Sequence, residues 1–243
     1  MYKIFLLLII SLPLFFLSCH EPVEQVIEEN TCFSPQIGDT LVYEITDPWG
    51  NKIFEKDAVK GTLEKLNNGK SVSAFELTNI MNGLESHSWY LYKDENSLWF
   101  SSDSDFRPII DGSVTYLKGV WLNIPFCNGS SFESVNNYNT ENFTAVIDGK
   151  LVNGKFMHYF RLRGQYLLTR DFPFKSETVK VRQFNCQFDS WEEIIEPSDL
   201  VFGDGKKIRN QNQKLFTVFF SEKYGFLQFE QEHYVKKLTD FIR

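Results

Sequence analysis

From residue 40 onward the chain alternates. Leu41, Tyr43 and Ile45 fall on one face while Thr40, Glu44 and Thr46 fall on the other, the period-two signature of a half-buried strand. The pattern recurs in pairs separated by turn residues. Segments 59–66 and 71–80 flank Asn67-Asn68-Gly69 as a hairpin, and segments 88–93 and 97–102 flank Asp94-Glu95-Asn96. Strands over 143–147 and 155–163 are joined across Asp148-Gly149 and Asn153-Gly154, and strands over 215–221 and 226–230 meet at Tyr224-Gly225. The alternation slips between Ala74 and Phe75 and again near Arg182 and Gln183, where a bulge would restore a buried face. Residues 103–142 are irregular, with a strand expected around 114–124 and loop elsewhere. Residues 191–195 suit a short helix or a strand, 197–212 read as a polar connection, and 233–241 close the chain as a strand or short helix. Roughly nine to eleven short, evenly spaced strands predict an all-β fold, mostly antiparallel, in a barrel, half-barrel or sandwich.

Composition agrees with the pattern. Phe occurs 24 times, Tyr 10 and Trp 5, whereas Ala stands only at Ala58, Ala74 and Ala145. Ala is the best helix former and aromatic side chains favour the pleated, half-buried surface of a sheet, so little helix is expected after the first residues. The second hairpin carries Trp89, Tyr90, Tyr92, Trp99 and Phe100 on both faces, a load that serves core packing before it serves a ligand wall.

The start of the chain is different. Lys3 is followed by an apolar run, Ile4 to Leu17, broken only by Ser11 and Pro13, the outline of a secretory signal. The run falls short of the ~20 apolar residues of a membrane-spanning helix, and it closes on Leu17-Ser18-Cys19. A small residue directly before cysteine at the end of such a run resembles the lipobox of bacterial lipoproteins, although Phe16 stands where Leu is usual and Leu17 where Ala or Ser is usual. The resemblance covers the signal alone. It implies cleavage before Cys19 and acylation of Cys19, and several acyl chains anchor stably where one does not. In the sorting rule of enteric lipoproteins an Asp after the lipidated cysteine retains the protein in the inner membrane; His20 stands there, so the resemblance implies the outer membrane. The domain plan is then a signal peptide over 1–18, a lipidated cysteine and acidic tether over 19–36 with Glu21, Glu24, Glu28 and Glu29, and one β-rich domain over 37–243.

Removing residues 1–18 takes away Lys3 and no acid, which moves the net charge from −7 to −8 and leaves no basic footprint for nucleic acid. With Cys19 acylated, Cys32, Cys127 and Cys186 allow one disulfide and one leftover thiol, and spacing does not choose the pair. No C-x-x-C, H-E-x-x-H, G-x-S-x-G, Walker or G-x-G-x-x-G motif occurs. His20, His87, His158 and His233 are not at metal-ligand spacing, and Asp103, Asp105 and Asp111 lack the order of a calcium loop. Glu192, Glu193 and Glu196 beside Trp191 lie on one segment, whereas glycoside hydrolysis needs two carboxylates held across a cleft. Lys206, Lys207 and Arg209 read as surface loop. No catalytic residue, metal or cofactor is expected. The sequence favours a membrane-anchored envelope lipoprotein that binds a lipid, glycan or protein ligand; an assembly subunit of an envelope complex comes next, and a hydrolase with an unrecognised site last.

Overall fold

The computed structural model describes residues 32–94, 97–102, 121–147, 149–201 and 205–243. Twelve strands are described: β1 Thr40–Thr46, β2 Lys52–Asn67, β3 Lys70–Met81, β4 Leu84–Asp94, β5 Ser97–Ser102, β6 Leu122–Ile124, β7 Phe132–Ile147, β8 Lys150–Phe174, β9 Glu177–Glu196, β10 Ile208–Ser221, β11 Gly225–Gln231 and β12 Tyr234–Ile242. One 3₁₀ turn, Phe126–Asn128, joins β6 to β7 and is the single helical element among the described residues. All twelve strands form one antiparallel sheet in the order β6-β5-β4-β3-β2-β1-β12-β11-β10-β9-β8-β7, curled into a nearly closed barrel. The first and last strands pair, Tyr43 opposite Leu238 and Ile45 opposite Lys236, and the remaining seam lies between β6 and β7.

Because the strands alternate in direction, the turns sort onto two ends. The entering segment 32–39, the 3₁₀ turn, the turns at 68–69, 175–176 and 222–224 and the carboxyl terminus lie at one end, called here the tether end. The turns at 47–51, 82–83 and 232–233 and the segments 197–201 and 205–207 lie at the far end. Packing reaches back into the expected tether: Cys32 is joined to Cys127 by a disulfide, Cα atoms 5.3 Å apart, and Phe33 is buried against Gly225. A Cβ on Gly225 would stand 2.8 Å from the Phe33 ring, and its φ of +73° also suits glycine, so the residue serves both a turn and a close approach.

The interior of the tether end is aromatic. Phe126 touches Phe132, Phe184, Phe220 and Phe226 with ring centroids 4.7 to 5.7 Å apart, and Phe226 in turn meets Phe100 and Phe229. Dispersion and water exclusion dominate there. The end of the β8–β9 hairpin crosses to the neighbouring wall: Phe172 packs on Phe219 with Lys237 over its ring, and Lys175 pairs with Asp240.

Several local expectations change. The residues at Ala74 and Phe75 form no bulge, since both faces are apolar: Leu77 lines the interior core with Phe75 packed against it, and Ala74 belongs to a second cluster with Tyr90 and Trp121. The register shifts of β3 come instead opposite Val59/Gly61 and at Asn79/Ile80. The irregularity expected near Arg182 and Gln183 lies across the ladder, between Tyr166 and Leu168 on β8. Asn153-Gly154 is strand rather than turn; Gly154 is needed because a Cβ would meet the Phe143 ring at 2.4 Å and the Glu196 carbonyl at 2.6 Å. The polar run 134–142 is part of β7, 191–195 belongs to β9, and 233–241 supplies β12. Backbone pairing with β8 outweighs the weak strand propensity of the Asn-rich run. Of the strand expected over 114–124, β6 supplies Leu122–Ile124; residues 103–120, with Asp103, Asp105 and Asp111, lie outside the described residues, as do Cys19 and the signal.

Candidate functional site

Charge enters the barrel interior on the far side of the aromatic layer. Alternation on β2 turns Glu55, Asp57 and Val59 inward with Leu41, Tyr43 and Ile45 of β1, and the same alternation turns Lys236 and Leu238 of β12 inward. Glu55 is 6 % exposed, Asp57 1 %, Asn79 2 % and Lys236 3 %. Such groups are tolerated in a core only when paired and hydrogen-bonded.

The pairing spans four strands. The Lys236 ammonium pairs with the Glu55 carboxylate, stands 3.9 Å from Asp57 Oδ2, and lies 4.3 Å from the centroid of the Tyr43 ring. Asn79 Nδ2 donates to Asp57 Oδ1 at 2.8 Å, and Asn79 Oδ1 accepts from Ser86 Oγ at 2.8 Å. Ser86 Oγ is also 2.8 Å from His87 Nδ1, so a hydrogen-bonded line runs from the half-buried edge of β4 to the buried acid of β2. Tyr43 donates its hydroxyl to the Phe226 carbonyl at 3.3 Å.

Two carboxylates face one ammonium, and their titration diverges. Burial pushes the Asp57 carboxyl up by more than the Lys236 charge pulls it down, and the neighbouring Glu55 charge adds to the rise. Burial also pushes Glu55 up, but the charge and hydrogen bond of Lys236 outweigh it and the net shift is downward. Lys236 is pushed down by burial and held above its usual value by Glu55 and then Asp57. Tyr43 is raised well above its usual value by burial and by both acids. The arrangement makes Asp57 the easier of the two acids to protonate and favours the ion pair between Glu55 and Lys236.

Chemically, the cluster is a clamp. It ties β12 to β2 across β1, the place where the two ends of the chain meet, and a slip of one residue would turn Lys236 out to solvent and leave both acids buried without a cation.

The sequence-level candidates are scattered. His158 is buried on β8 with its Nδ1 3.5 Å from Glu192 Oε1 on β9, and Glu192 is buried too. Glu192 and Glu193 point to opposite faces, as neighbours in a strand must, so that acidic run does not converge on one centre. Cys186 is a buried thiol, raised by burial. No group of three or more His, Cys, Asp or Glu able to hold a metal ion occurs among the described residues. No helix among them is long and apolar enough to cross a membrane. The clamp itself was missed: Glu55 and Asp57 do alternate in phase with Leu41 and Tyr43, but their sign that they face inward is the unseen pairing with β12.

No family model matches the chain, and no curated protein matches it. Solved structures resemble it at low identity. An exported protein described as having a YmcC-like fold, from Bacteroides fragilis, aligns at 7 % identity over 87 % of this chain and 99 % of that one, with a TM-score of 0.44. A protein described as a lipoprotein from Parabacteroides distasonis aligns at 10 % identity over 86 % and 97 %, with a TM-score of 0.44. The hypothetical lipoprotein YmcC of Escherichia coli aligns at 10 % identity over 87 % and 89 %, with a TM-score of 0.30.

Proposed function

We propose that the chain is an envelope lipoprotein, held to a membrane by acyl chains on Cys19 and delivered to the outer membrane, whose β body works by binding a lipid, glycan or protein ligand and not by catalysis. The observation that carries this reading is the Cys32–Cys127 disulfide placed directly after the tether. Disulfides persist outside the reducing cytosol, which is where the Leu17-Ser18-Cys19 signal would send the chain. The non-catalytic part rests on enclosure: Lys236, Glu55 and Asp57 have side chains only 4 %, 7 % and 2 % exposed, which suits a register clamp better than a centre that must admit a substrate. The test is the mass of the amino-terminal peptide from native membranes beside a Cys19→Ala variant. A triacylated Cys19 and loss of membrane attachment in the variant are expected; an unmodified Cys19 would overturn the reading.

A second reading, an assembly subunit of an envelope complex, draws on the far-end rim. The turn at 47–51 is braced by Asp47, whose Oδ1 accepts from the Trp49 and Asn51 amides at 2.9 and 2.7 Å and whose Oδ2 accepts from Asn51 Nδ2 at 2.8 Å. It presents Trp49 84 % exposed, with Phe54 and Leu84 also exposed on the same rim. A rigid, exposed Trp is the kind of group that dominates protein interfaces. Under this reading Trp49→Ala disrupts a stoichiometric complex isolated from native membranes without changing the stability of the chain; a wild-type chain isolated alone counts against it.

A further inference from the structure

Next to the tether end, the outside of the barrel departs from the usual alternation. Outward positions should be polar, yet Leu63 stands opposite Ala74 across β2 and β3, and Tyr92 opposite Trp99 across β4 and β5. Tyr92 and Trp99 are stacked with centroids 5.8 Å apart, and Trp121 meets Tyr92 edge-on at 5.0 Å. Polar contacts fix the group in place: Trp121 Nε1 donates to the Leu66 carbonyl at 2.9 Å, and Asn67 Nδ2 donates to the Tyr92 hydroxyl at 2.5 Å. Within this aromatic shelf Ala74, Tyr90 and Trp121 are buried and Tyr92 and Trp99 half-buried; beyond it the β2–β3 hairpin projects Leu63, 43 % exposed on the same face, and at its tip Leu66, 70 % exposed on the opposite face of the ribbon. Lys65, which lies over the Tyr90 ring at 3.8 Å, and Lys70 and Lys93 carry cations around it.

We propose that this corner rests in the interfacial layer of the bilayer that holds the chain's own anchor, a proposal that stands on the lipoprotein reading above. The tether decides the occupant. Twelve residues lie between Cys19 and Cys32, a reach of at most ~45 Å when fully extended. The disulfide to Cys127 and the burial of Phe33 fix where that tether leaves the body, on the end that carries Leu66 and the shelf. The anchoring bilayer is therefore held within reach of this end at a high effective concentration. The chemistry matches that neighbour. Half-buried Tyr92 and Trp99 are of the ring type that settles at the level of lipid headgroups, a leucine on a hairpin tip enters the acyl boundary, and lysines reach phosphates while their stems stay on apolar surface. The exposed Trp49 and Leu84 belong to the far end, opposite the end at which Cys32 and Phe33 are held.

The test uses the full acylated chain, purified from membranes and reconstituted into vesicles of phosphatidylethanolamine and phosphatidylglycerol with brominated acyl chains, which quench nearby Trp fluorescence. Leu66→Glu and Leu84→Glu place the same charge on exposed leucines at opposite ends. Leu66→Glu should cut quenching about twofold and Leu84→Glu should leave it unchanged, because only the first charge would enter the interface. Trp99→Phe, which removes the reporter without adding charge, should also lower quenching, whereas Trp49→Phe should not. An equal or larger effect of Leu84→Glu, or quenching carried by Trp49, would overturn the proposal in favour of the far end. An acylated wild-type chain that is not quenched would overturn it as well and hand the corner to a protein partner. The intact mass of the same preparation separates the two readings: an unacylated Cys19 removes both, while an acylated, unquenched chain removes the docking alone.

Discussion

The two ends of the barrel solve the same problem in opposite ways. At the tether end the interior is filled by phenylalanine rings, and the chain is stapled there by Cys32–Cys127. Toward the far end the wall where the chain's first and last strands meet is held by Lys236, Glu55, Asp57 and Asn79. Rings packed by dispersion stabilise without dictating register, since one apolar side chain replaces another at modest cost. Buried charges contribute little net stability and much specificity, because every alternative pairing leaves one of them alone. The comparison suggests a division of labour in which the aromatic end supplies cohesion and the ionic wall sets which strand pairs with which.

The sharpest way to break that contrast is to remove the cation. Lys236→Met leaves two acids buried without a cation and should cost about 3–5 kcal/mol in urea unfolding, with a stability that recovers as pH falls and the acids protonate. Phe126→Ala at the other end should cost a similar 3–5 kcal/mol or so, through a cavity among four rings, but without any pH dependence of its own. The paired change Cys32→Ser with Cys127→Ser should lose about 2–5 kcal/mol, since the bridge closes a separation of 95 residues in the unfolded chain. If the serine pair unfolds at the wild-type urea midpoint, the staple does not stabilise the tether end.

The smallest expected effect is in the pH profile. Asp57 is raised in the folded state, so its contribution is fully present below its unfolded value and is lost as pH rises from the ordinary carboxylate range through the folded value. Glu55 runs the other way: it is lowered, so it stabilises above the ordinary range and that contribution disappears as pH falls through its folded value. Asp57→Asn keeps the amide partner and removes the first titration. Its stability relative to wild type should therefore improve from pH 4 toward neutrality, and a difference that stays flat would mean that burial does not raise Asp57.

Much of this architecture was written in the alternation of residues. Leu41, Tyr43 and Ile45 are the inward face of β1 as their spacing predicts, and the hairpins at Asn68-Gly69 and Tyr224-Gly225 form where turn residues interrupt the pattern. Local signals failed where a distant partner decides the outcome. Nothing near residues 134–142 indicates a strand, because the long ladder of β8 holds them. Nothing near Ala74 indicates that both faces of β3 are covered, because the second cover comes from Tyr90 and Trp121. The clamp was hidden for the same reason: its cation lies about 180 residues along the chain from its acids.

The central claim is that Lys236, Glu55 and Asp57 act as one unit, and a mutant cycle in urea unfolding tests it most directly. The triple variant Glu55→Gln, Asp57→Asn, Lys236→Met carries no buried charge at this wall, so it should regain most of the stability that Lys236→Met alone loses. A triple variant as unstable as the single one would contradict the account, for the loss would then come from the packing of the Lys236 stem and not from stranded acids.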